Sequence, residues 1–130
     1  MNKIRMLLVL GLSFLSSPPV ANATVLDDLI ADYQSASGQT LDAKSGEKLW
    51  KDKHAQSRSC RTCHGDHLRG PGKHIKTKKK IEAMSPSVNA KRFTKVKFIE
   101  KWFKRNCQWT WGRECTAAEK GQILMFLKDQ

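Results

Sequence analysis

The residues best equipped for chemistry are two thiols and an imidazole in the run Cys60-Arg61-Thr62-Cys63-His64. Behind an export signal, Cys-x-x-Cys-His is the spacing of covalent c-type haem attachment. Two thiols add across the two vinyl groups of the porphyrin, and the following residue must reach the iron beneath the ring. A neutral imidazole suits that iron, so Cys60 and Cys63 are the expected attachment points and His64 the proximal ligand. Three rival chemistries fit less well. A thioredoxin-like redox pair needs a βαβ context, of which there is no sign. A zinc site needs a second ligand pair at ribbon spacing, and Cys107 and Cys115 stand too far apart. Plain structural cysteines would not require the histidine.

Iron held this way has a sixth position, and its occupant sets the function. Met84 lies in a Met-Ser-Pro context downstream of His64, and methionine is the usual second ligand of electron-carrying cytochromes c. Met125 falls within the last expected helix, where it packs. His54, His67 and His74 each neighbour a charged residue and are expected to face solvent. Asn106 follows Phe103 by three positions and Ile99 by seven, which turns it toward the apolar side at a helix end. Asparagine is also a common helix C-cap. Periodicity leaves Met84 and Asn106 both open. Cys107 and Cys115 are expected to form a disulfide closing a short loop, a bridge worth up to about 3 kcal/mol in the chain-entropy account.

These residues need elements to hold them. Lys3 and Arg5, the apolar stretch from Met6 to Leu15 and Ala21-Asn22-Ala23 have the layout of a secretory signal cleaved after Ala23. The apolar stretch is too short to span a membrane. Residues 24–130 are then the length of one domain, and in a Gram-negative source its address is the periplasm, where disulfides persist. Leu26, Leu29, Ile30 and Tyr33 recur at helical spacing; Asp42 is the N-cap of a second helix through Gly46, Leu49 and Trp50. Gly46 inside that helix suggests a close backbone approach. The stretch 65–89 reads as a long wrapping loop with a basic run at Lys76–Lys80. A helix is expected over 92–105, with Val96, Ile99, Trp102, Phe103 and Asn106 along one side, then a loop from Cys107 to Cys115. Thr116 and Glu119 form a capping box for the last helix. The fold class is all-α, a small class I-like cytochrome c wrapped around one haem, which supplements a modest core.

Beyond the haem motif, Arg105-Asn106-Cys107 with Gly112-Arg113-Glu114-Cys115-Thr116 is the most specific signature. Together with Cys63-His64-Gly65, Pro86-Ser87, Arg92-Phe93-Thr94 and the run Asp42–Trp50, it resembles the sphaeroides haem protein family of small periplasmic monohaem cytochromes c. The likeness covers nearly all of 24–130. The resemblance implies that Asn106 is the distal iron ligand, that Cys107–Cys115 is the bridge beside it, and that Met84 packs without ligating. It further implies that the asparagine leaves when the iron is reduced, opening a position for oxygen or nitric oxide. A neutral amide oxygen is a hard ligand, better matched to ferric than to ferrous iron.

The formal net charge of +12 favours encounter with acidic partners, through the lysines of 73–80 and 91–104. The resemblance points to a dihaem cytochrome c and a membrane cytochrome b as electron donors. Electron transfer with small-ligand binding is therefore the expected function. A haem enzyme turning over oxygen, nitric oxide or peroxide is the alternative, and no acid–base constellation for substrate chemistry supports it. Lysine runs beside aromatic residues also suit nucleic acid or an anionic membrane surface, but an exported protein rarely meets nucleic acid.

Overall fold

Thr24 starts the first helix: its hydroxyl accepts from Asp27 N while the Asp27 carboxylate accepts from Thr24 N, a reciprocal capping box. The structure, a computed structural model, describes residues 24–130; the export signal read at 1–23 lies outside the described residues. Helix α1 (Val25–Ser37) buries Leu26, Leu29, Ile30 and Tyr33, and Gly38 ends it in the left-handed region at φ 64°. Helix α2 (Ala43–Lys51) is capped by Asp42, whose carboxylate accepts from Ser45 N at 2.8 Å. The one-turn helix α3 (Arg61–His64) carries the haem motif. After α4 (Val96–Trp111), α5 (Ala117–Lys128) opens with the Thr116–Glu119 capping box expected from sequence.

Helix α5 is the hub, because it packs on both α1 and α2. Leu124 joins Leu26, Leu29, Ile30 and Tyr33 in one cluster, whereas Ile123 and Leu127 turn toward Trp50, Leu68, Cys107 and Trp111 in the other. At Gly46 the α2 and α5 backbones touch: a Cβ there would run into the carbonyl of Gln122 and lie 3.0 Å from Phe126 Cβ. The cost of glycine inside a helix, about 1 kcal/mol, is offset by that close crossing. Glu100 ties the third side. It accepts a short hydrogen bond from the Tyr33 hydroxyl and a 2.8 Å ion pair from Lys120, joining α1, α4 and α5.

Two expectations change. The helix over 92–105 in fact starts at Val96 and runs to Trp111, so Cys107 is a helical residue rather than the start of a loop. Cys107, Thr110 and Trp111 are buried at helical spacing and carry the helix onward. Gly112, at φ 70°, ends it by donating to Gln108 O. The buried stripe is Ile99, Cys107, Thr110 and Trp111, with Phe103 partly covered; Val96, Trp102 and Asn106 are exposed. The stretch 65–89 is also more ordered than a plain loop. Strands β1 (Gly72–Lys73) and β2 (Lys80–Ile81) pair antiparallel, with Gly72 opposite Ile81 and Lys73 opposite Lys80. Two residues a strand is too short to leave an alternating pattern, and the architecture stays all-α with this one small ladder.

Candidate haem-attachment site

The motif is locally self-organised. Ser59 N donates to the Thr62 hydroxyl at 3.0 Å, and Cys63 N and His64 N both donate to Cys60 O. The turn closes at Gly65, φ 77°, whose N–H returns to Arg61 O at 2.8 Å. This brings both thiols and the imidazole onto one turn of helix. The base of the β1–β2 hairpin then lies on the motif's backbone: a Cβ on Gly72 would strike the Cys63 carbonyl and come within 2.8 Å of His64 Cα. In sequence Gly72 falls within the stretch 65–89 read as a wrapping loop. Its close approach to the motif is a tertiary fact.

Cys60 and Cys63 are free thiols, each partly buried. Burial pushes the Cys60 thiol up to about 12, so it is neutral at physiological pH. His64 is pushed the other way, down to about 4, chiefly by burial and then by the charge of Arg92. It is therefore the neutral, lone-pair-bearing imidazole that an iron ligand must be. Its Nδ1 is buried with no hydrogen-bond partner, and its ring centroid lies 5.2 Å from that of Trp50, whose Nε1 is likewise unpartnered. Two free thiols, a neutral imidazole and orphaned buried nitrogens among aromatic side chains form a donor set that fits a covalently attached haem. No three His, Cys, Asp or Glu side chains among the described residues gather where a metal ion could sit, which leaves the zinc reading without a ligand set.

The distal candidates fall in different places. Met84 is partly buried against the cluster of Trp50, Leu68 and Cys107, and Cys60 packs on that same cluster. Met84 N and Ser85 N both donate to Leu68 O at 3.0 Å. The loop carrying Met84 is pinned from below by Arg92, which donates from Nε to Ala83 O (2.8 Å) and from Nη2 to Glu82 O (2.5 Å). Met125 packs on the other cluster, with α1. His54 is engaged with Leu49 O (3.1 Å) and stacks on Trp111 at 4.5 Å. His74 is spent on its own turn, its Nδ1 accepting from Lys76 N and Thr77 N, and His67 is exposed.

Asn106 lies on α4, exposed, five residues before the helix ends, so it is not a C-cap. The residue after it, Cys107, is buried and bonded through sulfur to Cys115, with the two Cα atoms 5.6 Å apart. That bridge joins the last turn and a half of α4 to the residue before the α5 cap. Cys107 and Cys60 thus border one apolar cluster, which brings the haem motif and the Asn106 turn of α4 to the same core. Sequence reasoning missed Arg58 and gave Arg92 no role beyond its place in the Arg92-Phe93-Thr94 motif. Arg92 holds the Met84 loop, and Arg58, two residues before Cys60, lies 4.1 Å over the Trp109 ring and donates to Trp109 O. Neither residue type nor spacing signals such contacts.

Residues 36–127 match a family model described as a domain of unknown function, DUF1924. The chain is 37% identical over 120 residues to cytochrome c-type protein SHP of Cereibacter sphaeroides, spanning 89% of this chain and 92% of that protein. Its structure is similar to that of oxidised SHP, described as an oxygen-binding cytochrome c, with a TM-score of 0.77 and 36% identity over 84% of this chain and all of that one. It is also similar to the solution structure of cytochrome c'' of Methylophilus methylotrophus, a study of haem-ligand detachment. There the TM-score is 0.67 and the identity 27%, over 81% of this chain and 93% of that one.

Proposed function

The chain belongs to the DUF1924 family and, by its likeness along nearly the whole domain, to that of the cytochrome c-type protein SHP, and from that membership we propose that it is an exported electron carrier whose reduced form binds a diatomic ligand. It is a monohaem cytochrome c with one covalent haem c. When bound, the haem supplies a one-electron iron couple and, once a distal ligand leaves, a place for oxygen or nitric oxide.

The chain's own residues divide that work. Cys60 and Cys63 would tether the ring through their sulfurs, and His64, neutral and packed on Trp50, would present its lone pair to the iron. Asn106 would supply an amide oxygen as the second protein ligand. A hard neutral oxygen competes well for ferric iron and poorly for ferrous, so it would be the ligand given up on reduction. The Cys107–Cys115 bridge holds the helix at the neighbouring position, so release is a movement of the Asn106 side chain on a fixed helix. Met84 lines the site as packing. The observation that carries this reading is the shared cluster of Cys60 and Cys107, which draws the haem motif and the Asn106 turn together. The solved SHP, described as oxygen-binding, and cytochrome c'', studied for haem-ligand detachment, support the same chemistry here.

The reading extends to the cell. With the export signal at 1–23, cleaved after Ala23, the domain 24–130 works in the periplasm. No helix among the described residues is long and apolar enough to cross a membrane. Its redox partners present acidic faces, a dihaem cytochrome c or a membrane cytochrome b among them. The test is ligand uptake by the holoprotein. The ferrous form is expected to take up one equivalent of nitric oxide, with oxygen binding reversibly; a ferrous form that refuses both would overturn ligand binding as its function.

A further inference from the structure

We propose that the face built by Arg58, Trp109, Lys104 and Arg105, together with the β1–β2 hairpin, is the surface on which an acidic redox protein docks. This rests on the cytochrome reading and locates its partner site. In sequence the basic residues form two separate stretches, 73–80 and 91–104. The fold brings the hairpin beside the end of the second stretch, at Lys104 and the adjoining Arg105. The His74 ring lies 6.4 Å from Trp109, which brings the hairpin to the end of α4, and Arg58, two residues before Cys60, lies over the same indole. A shallow cavity of about 550 Å³ opens beside them, lined by Arg58, Lys104, Arg105 and Trp109, with Glu114 the one carboxylate among its lining residues.

Three further observations favour this face over the other lysines. On α2, Lys48 and Lys51 are paired with Asp52 and Glu47, so that face is largely neutralised. Lys97 and Lys101 lie in a hollow that holds two carboxylates, Glu100 and Glu114, against one for the proposed face; Lys104 borders both. On the hairpin Lys80 is paired with Glu82, while Lys73, Lys76, Lys78 and Lys79, like Lys97 and Lys101, form no ion pair among the described residues. The Arg58 guanidinium is also held in place, by the Trp109 face and carbonyl, so little side-chain freedom is lost when a carboxylate binds it. The turn that presents it contains two consecutive non-glycine residues at positive φ, Gln56 at 57° and Ser57 at 54°. Backbone strain of this kind persists where a functional geometry is held.

Position gives the face its use. Arg58 is two residues from Cys60, and the hairpin base touches the Cys63 carbonyl, so a partner seated here stands next to both haem attachment points. One electron then passes from the partner's reduced one-electron carrier to the iron, which goes from ferric to ferrous with no proton required.

The probe is poly-L-glutamate, coupled to the holoprotein by carbodiimide at low ionic strength and mapped by peptide mass spectrometry. Cross-links are expected at Lys73, Lys76 and Lys104; links concentrated on Lys44 or Lys91 would overturn the proposal. In parallel, the ferrous protein is oxidised by ferricyanide, a one-electron oxidant carrying the partner's sign of charge. The pair Arg58→Gln and Lys104→Gln should slow that oxidation about tenfold at low salt and flatten its salt dependence. The pair Lys44→Gln and Lys97→Gln should leave it within about twofold. Equal slowing in both pairs defeats the docking face while leaving the cytochrome reading intact. A wild-type chain that attaches no haem would instead defeat the cytochrome reading.

Discussion

Cys107 does two jobs that its neighbours cannot. Its sulfur bridges to Cys115, and its buried position holds Asn106 one residue away on the exposed side of α4. Removing the bridge should therefore act on ligand binding as well as on stability. Cys107→Ser is expected to cost up to about 3 kcal/mol, since the closed loop is short. It should also change the rates at which the ferrous protein gains and loses nitric oxide, read by stopped-flow absorption. Unchanged rates alongside lost stability would separate the bridge from the distal side. At this scale Cys60, Cys63 and His64 were legible in the sequence because covalent attachment dictates their spacing. Asn106 was not legible from periodicity, which turned it inward at a helix end; the described helix passes through it and leaves it exposed. Only the resemblance of Arg105-Asn106-Cys107 to a known signature singled it out. The contacts of Arg58 and Arg92 left no trace because their partners are backbone carbonyls and, for Arg58, an indole distant in sequence.

Elements were legible where their ends carry caps. Asp42 and the Thr116–Glu119 box mark α2 and α5 where the structure has them, and the spacing of Leu26, Leu29, Ile30 and Tyr33 marks α1. Helix α4 was harder. Lys95 makes no side-chain cap at its start, and the paired cysteines invited a loop reading of what is its last turn and a half. Contacts between elements leave less trace still. Lys128 near the end of α5 donates to the Asp27 carboxylate at the start of α1, joining the two helices across most of the chain. That bond first, and then the bonds from Thr24, hold the Asp27 carboxyl at about 2. An unfolded aspartate titrates near 3.9, so the folded state binds the proton less readily. The stabilisation is whole above about pH 5 and is lost as pH falls through about 2. Glu119, held low by Arg113, works in the same direction. Denaturant unfolding followed from pH 7 to pH 2.5 should show stability falling over the acid part of that range, and Asp27→Asn should make the fall shallower. An identical pH profile in the variant would show that the α1–α5 clasp contributes nothing.

The whole molecule is a small helical frame with its chemistry gathered at one side. Three capped helices, α1, α2 and α5, build a core that Gly46 allows to close, and α4 and the hairpin, which carry the proposed distal and docking residues, border the same cluster and the backbone of the haem motif. A likeness spanning 92% of the SHP sequence means that this arrangement is shared along the domain rather than grafted at one motif. The central claim is that Asn106 holds the ferric iron and lets go of the ferrous. Optical and EPR spectra of the wild-type holoprotein and of Asn106→Ala, each in both oxidation states, test it most directly. The account predicts a ferric wild type whose coordination is lost in Asn106→Ala, and ferrous spectra that are the same in the two proteins because the asparagine has already left. A methionine–sulfur charge-transfer band in the ferric wild type, unchanged in Asn106→Ala, would contradict it and make Met84 the ligand of an ordinary electron carrier.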